Sequence, residues 1–259
     1  MRRRRTPIGP SCKAPFIEFQ ENMEPVVSHS PTDFAIYDCS LVRQATGLSC
    51  SNLRELLSAI QRADTAVLEH HMLRCALEDH FELYEFPNDL ARWCWEGLGD
   101  RELGERLGLI DPYQHGSIES LRLQLINVIE DHLWSVDHPI WCRAGLELHL
   151  VGSQLVAYDT GQRLSSLTAL AEALPGMSLR SLYYHVHEGR RRTGGQTDDF
   201  SAWLETVGEA PELATELRQL DFYFLNLRQL QVSLLELFSR HLPARQMTAG
   251  RSHGPVETV

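Results

Sequence analysis

The chain repeats itself, and internal repetition limits its architecture more than any single motif does. Leu53, Leu56, Leu57 and Ile60 form an i, i+3, i+4, i+7 stripe, the spacing of one face of an α-helix. The same stripe returns 114 residues later as Leu167, Leu170, Ala171 and Leu174. A Thr-Gly pair precedes each, Thr46-Gly47 and Thr160-Gly161. Glycine there suits a left-handed helix C-cap, with Ser51 or Asn52, and Ser165 or Ser166, capping the helix that follows. Near the end of each unit Ile118, Leu121, Leu125, Val128, Ile129 and Leu133 correspond, 109 residues on, to Leu227, Leu230, Leu234, Leu237, Phe238 and Leu242. Amphipathic helices match one another easily, so polar matches weigh more. His71 falls on His185, Asn88-Asp89 on Asp198-Asp199, Trp93 on Trp203, Gly99 on Gly208, Asp111 on Asp221 and Tyr113 on Tyr223. The offset changes between His71 and Asp89, where Glu82–Pro87 reads as a loop, the place for an insertion.

These correspondences predict a mainly α fold: a tandem duplication of a roughly 100-residue helical module, packed pseudo-symmetrically. Residues 33–134 form the first copy, 135–145 a linker and 146–242 the second copy. The Pro-containing ends, 1–32 and 243–259, read as a disordered arm and tail. In the first copy the pattern places helices near Ser40–Thr46, Leu53–Arg62, Thr65–Asp79, Asp89–Gly97, Arg101–Leu109 and Ile118–Trp134. Asp64, Asn88, Asp100 and Ser117 stand as their N-caps. Phe34–Cys39 and Leu146–Val151 alternate apolar and polar residues, which allows one short strand at the start of each copy.

Charge narrows the function classes. The net charge is −11, with Lys13 the only lysine. Residues 33–134 hold 18 acidic and 8 arginine residues, and 146–242 hold 12 and 8. An acidic body argues against nucleic-acid binding, which draws its affinity from phosphates neutralised by basic side chains. Arg2–Arg5 is followed by Thr6, Pro7 and Gly9 rather than an apolar run, so an export signal is not expected, and no stretch is apolar enough to span a membrane. The six cysteines show no C-x-x-C pair or zinc spacing and all precede residue 146, which fits free thiols in a reducing cytoplasm.

At Thr46-Gly47-Leu48, Pro87-Asn88-Asp89-Leu90-Ala91-Arg92-Trp93 and Leu103-Gly104-Glu105-Arg106-Leu107 the chain resembles an uncharacterised prokaryotic helical family, domain of unknown function 5752. Tyr183-Tyr184-His185-Val186-His187 and Asp199-Phe200-Ser201-Ala202-Trp203 resemble the same pattern in the second copy. The first copy departs at Glu69-His70-His71-Met72-Leu73, and the second at Glu212-Leu213-Ala214-Thr215-Glu216-Leu217. The resemblance implies a helical fold group in two copies, the second more divergent, and brings no activity with it.

Candidate chemistry rests on the matched His/Asp sets: His71, Asp89 and Asp111, and their counterparts His185, Asp199 and Asp221. A histidine beside a carboxylate can bind a metal, with His71 and Asp89 as the candidate ligands, or act as a base with its orienter. The competing reading is structural, each histidine packing inward and bonding the start of the next helix. Adjacent His70 and His71, and His185 and His187 two apart, are expected to face apart, which speaks against chelating pairs. Trp93 and Trp203 read as core. The basic Arg190–Gly195 segment reads as a flexible loop without phosphate-loop context, and no hydrolase or dinucleotide motif is present. The resulting expectation is a non-catalytic interaction or regulatory module with no cofactor, acting through a protein partner or self-association. The alternative is a metal-dependent hydrolase or small-ligand-binding protein built on the histidines and aspartates of the first copy.

Overall fold

In the computed structural model, which describes residues 32–78, 86–138 and 140–242, the chain is organised around two long antiparallel strands. β1 is Phe34–Cys50 and β2 is Leu148–Leu164, each 17 residues long. The central register pairs Cys39 with Ala157, Leu41 with Leu155 and Arg43 with Ser153. Side chains alternate between the faces of a strand. Leu41 and Leu155 accordingly turn inward to the core, while Val42, Val156 and Tyr158 stand exposed on the outer face.

Helices follow each strand. After β1 come α1 (Leu53–Arg62), α2 (Thr65–Met72), α3 (Asp89–Trp93), α4 (Arg101–Gly108) and α5 (Ile118–Ser135). After β2 come α6 (Leu167–Ala173), α7 (Leu179–Tyr183), α8 (Gly189–Arg192), α9 (Asp199–Val207), α10 (Pro211–Gln219) and α11 (Leu227–His241). Side-chain caps start most of them. The carboxamide oxygen of Asn52 accepts from Glu55 N–H, that of Asn88 from Ala91 N–H, and the Asp100 carboxylate from Leu103 N–H. Ser117 and Ser166 serve α5 and α6 in the same way, whereas Asp64 makes no such bond. Each cap satisfies a donor that the helix start leaves open, worth about 1 kcal/mol.

The fold is mixed α/β, not a mainly α tandem of helical modules each opened by at most one short strand. The helix expected at Ser40–Thr46 is the middle of β1, where pairing with β2 overrides a weak helical pattern. Gly47 and Gly161 do adopt left-handed angles, φ 75° and 79°, yet within the strands rather than at helix ends. They sit at the two shifts of register, between Ala45 and Ser49 and opposite Ala35–Tyr37. At each bulge the preceding threonine hydroxyl crosses the ribbon: Thr46 donates to the Leu150 carbonyl at 2.7 Å, and Thr160 to that of Ile36 at 2.6 Å.

The strands thread two hydrophobic clusters. Leu53, Leu56, Leu103, Leu125 and Ile129 pack with Cys50, Leu148 and Leu150, so the first helices close over the end of β1 and the start of β2. Leu170, Phe200, Leu204, Leu234 and Phe238 pack with Phe34, Ile36 and Cys39, so the second helices close over the start of β1. The expected linker lies against the first helices: Cys142 N–H donates to the Ser51 carbonyl at 2.7 Å and Arg143 N–H to that of Gly97 at 3.0 Å. The arm and tail expected at 1–32 and 243–259 lie, apart from Thr32, outside the described residues, as does most of the Glu82–Pro87 loop.

Candidate functional site

A sheet of two strands has two edges, and unpaired edge amides invite association with other chains. Two histidines each take one such amide. His71, near the end of α2, accepts the Val151 N–H on Nε2 at 3.1 Å, and its Nδ1 lies 2.9 Å from Asp89 Oδ2. His185, in the turn of π-helix Tyr184–Glu188 that continues α7, accepts the Tyr37 N–H on Nε2 at 3.0 Å, with Nδ1 2.8 Å from Asp199 Oδ2. An imidazole nitrogen that accepts from an amide carries no proton. The partners therefore assign the proton of each ring to Nδ1, where it is donated to the carboxylate. Both nitrogens of both rings are occupied.

The carboxylates are held in turn. Asp89 opens α3 directly after the Asn88 cap, and its second oxygen takes Arg92 at 2.7 Å. Burial by itself would raise the Asp89 carboxyl. The hydrogen bond from His71 and the Arg92 guanidinium together hold it below the ordinary carboxylate value. Asp199 opens α9 after the Asp198 cap and receives Arg192 on both oxygens at 2.8 Å. Two tryptophans complete the arrangement: Trp93 Nε1 donates to the Leu146 carbonyl and Trp203 Nε1 to that of Thr32, both at 2.7 Å. Each side chain from one half of the chain thus fastens a strand end, Val151 and Leu146 from the first helices, Tyr37 and Thr32 from the second.

Asp111 and Asp221 stand elsewhere. Asp111 caps the short turn Pro112–Gln114 by accepting from Tyr113 N–H at 2.9 Å. Asp221 precedes the turn Phe222–Phe224 without a side-chain cap bond. Among the described residues the one group of three potential metal-ligating side chains is His70, His71 and Asp89, their ligand atoms all within 4.8 Å of one another, though both His71 nitrogens already have partners. Adjacent His70 and His71 therefore converge, their rings 4.9 Å apart and edge-on. Successive helical residues diverge by only about 100°, and imidazole reach makes up the difference. His185 and His187 do separate, and His187 Nδ1 lies 3.0 Å from the Tyr113 hydroxyl, its ring stacked on Tyr183. The Arg190–Gly195 segment is not a free loop. Arg190 donates to the Leu217 carbonyl, Arg191 pairs with Glu188 and Arg192 with Asp199.

Sequence reasoning missed two groups. His132 Nε2 lies 2.6 Å from Asp100 Oδ2 in the interior, tying α5 to the cap of α4. Between the halves, Arg74 pairs with Glu69 at 2.8 Å and approaches Glu188 at 3.9 Å, while donating to the Ser153 carbonyl at 2.5 Å. The signal available for the second was Arg74 standing at the position that Glu188 occupies 114 residues later, opposite charges at matched places.

Comparison with protein-family models gives one match, to the Family of unknown function (DUF5752), over residues 31–239. The chain belongs to that family. A single match runs through both halves, so the family unit is the whole two-stranded body, and two tandem copies of a family domain are not what the match shows. Among solved structures the chain is similar to OrfY from Thermoproteus tenax, with a TM-score of 0.66 and 27% identity over 83% of this chain and 97% of that one. No curated protein matches. Among the described residues, no helix is long and apolar enough to cross a membrane.

Proposed function

We propose that this protein is a non-catalytic module that works by holding a protein partner. The observation that carries the reading is the full occupancy of both His–carboxylate pairs. A general base needs a free lone pair near its substrate. His71 and His185 spend theirs on backbone amides of the sheet. They act as brackets, each tying a helix to one backbone amide of the sheet.

The outer face of the ribbon offers the surface. Val42, Val156 and Tyr158 are 56%, 45% and 47% exposed and stand together on it. Apolar side chains gathered on one exposed face mark binding surfaces more often than scattered ones do. The test compares proteins captured by the intact chain with those captured by the V42D/Y158D double variant, whose melting should match wild type. A protein held by the wild type and lost by the variant supports the reading. Identical capture by both refutes it, as does turnover in a hydrolase screen that disappears in His71→Gln.

A further inference from the structure

His70 differs from the bracket histidines in one respect that asks for an explanation. It is 4% exposed, and its Nδ1 is buried without a hydrogen-bond partner. Buried polar atoms are nearly always partnered, and a bound ion is one thing that an orphan can mark. Around it lie an ionised carboxylate, Asp89, and a cavity of about 400 Å³ also lined by Glu96, Glu147 and His149.

We propose that His70 and Asp89 bind a divalent transition-metal ion, with His71 as the positioning residue that orients Asp89. The donors suit that ion class. One imidazole nitrogen and one carboxylate favour zinc, nickel or copper over magnesium or calcium, which prefer all-oxygen shells. His71 holds Asp89 through Nδ1–H, the outer-shell hydrogen bond that ligating carboxylates carry in metal sites. Water fills the remaining coordination positions. Arg92, on the other oxygen of Asp89, opposes a second positive charge, so the ion exchanges rather than staying permanently bound. The second half cannot repeat the site, because Tyr184 stands where His70 would fall. The stoichiometry is therefore one. This site is independent of the partner-binding reading, since it lies in the helix–strand cavity rather than on the outer sheet face.

The experiment is calorimetric titration of the full, chelator-dialysed chain with zinc and with nickel, repeated on His70→Gln. The expected result is one equivalent bound by wild type and an affinity loss of at least about tenfold in the variant, the range seen when a metal site loses a supporting group. X-ray absorption at the zinc edge of loaded wild type gives a second readout that needs no variant, a nitrogen and oxygen shell with imidazole scattering. Absence of stoichiometric binding, undiminished affinity in His70→Gln, or a sulfur shell from the cysteines would each overturn the proposal.

Discussion

Replacing His185 by Phe tests the bracket directly, because the ring volume stays while both polar contacts go. The imidazole is 1% exposed and packs among Phe34, Phe200 and Tyr184, with centroids 4.9, 5.5 and 5.3 Å away, so a phenyl ring fits the same walls. What is lost is the acceptor for Tyr37 N–H and the donor to Asp199. A buried amide left unpaired costs about 1–3 kcal/mol. The Asp199 carboxylate is 28% exposed and keeps Arg192, so its loss is discounted to about 1 kcal/mol. The total is about 2–4 kcal/mol. For a body of this size that lowers Tm by roughly 4–16 °C. Calorimetry measures the shift, and amide hydrogen exchange locates it: the Tyr37 N–H should become fast-exchanging while amides of α5 keep their relative order. A Tm within about 2 °C of wild type, with the Tyr37 amide still protected, would refute the assignment of His185 as the edge bracket.

His187 makes stability depend on pH. Burial first, and then the Arg190 charge, push its imidazole down to about 3, while the unfolded chain titrates near 6.5. Between those values the unfolded state binds the extra proton, so stability falls as pH drops from about 6.5 towards 3. Its ring meets the Tyr113 hydroxyl, the Tyr183 face and the Phe222 ring, none of which supplies a compensating negative charge. By pH 5 the loss is about 2 kcal/mol, and melting of His187→Phe should be less steep over pH 7.5–5 by that amount; parallel curves would count against it. Gly195 has φ +87°, and an added Cβ would meet the Tyr113 carbonyl oxygen at 2.4 Å. Gly195→Ala should cost more than about 2 kcal/mol in urea unfolding at unchanged m, whereas Gly116→Ala, with nothing near its Cβ, should be close to neutral.

Much of the helical framework was legible because it depends on local signals. The Leu53–Ile60 stripe predicts α1 as it occurs, with Asn52 the one of the two candidate caps that is used, and Ser117 with Ile118–Leu133 predicts α5. The strands were not legible beyond their first residues. A two-stranded ribbon exposes much of both faces, so Val42, Gln44, Gln154 and Val156 carry no clean alternation. Thr46-Gly47 looked like a helix end because glycine serves a bulge and a C-cap with the same left-handed angle. The matched His/Asp pairs, and the reading in which each histidine bonds the start of the next helix, were legible in the sequence; the bonds to the strands were not. Nothing local announces that His71 and His185 accept amides from strand residues 80 and 148 positions away.

Those long-range bonds bear on how the molecule unfolds. Two hydrophobic clusters would suggest two transitions, one for each group of helices. The strand ends argue otherwise. The second cluster needs Phe34 and Ile36 from the start of β1, and the first needs Leu148 and Leu150 from the start of β2. Melting either group of helices strips Tyr37 or Val151 of its imidazole partner and opens the ribbon that the other group packs on. The clusters therefore unfold together. Leu125→Ala empties a fully buried site in the first cluster and should cost about 2–5 kcal/mol. If the clusters are coupled, calorimetry shows one transition moved to lower temperature, and amides of α9 and α11 lose protection by the same free energy as those of α5. A split endotherm, with α9 and α11 holding their wild-type protection, would show instead that the ribbon joins two bodies that melt separately.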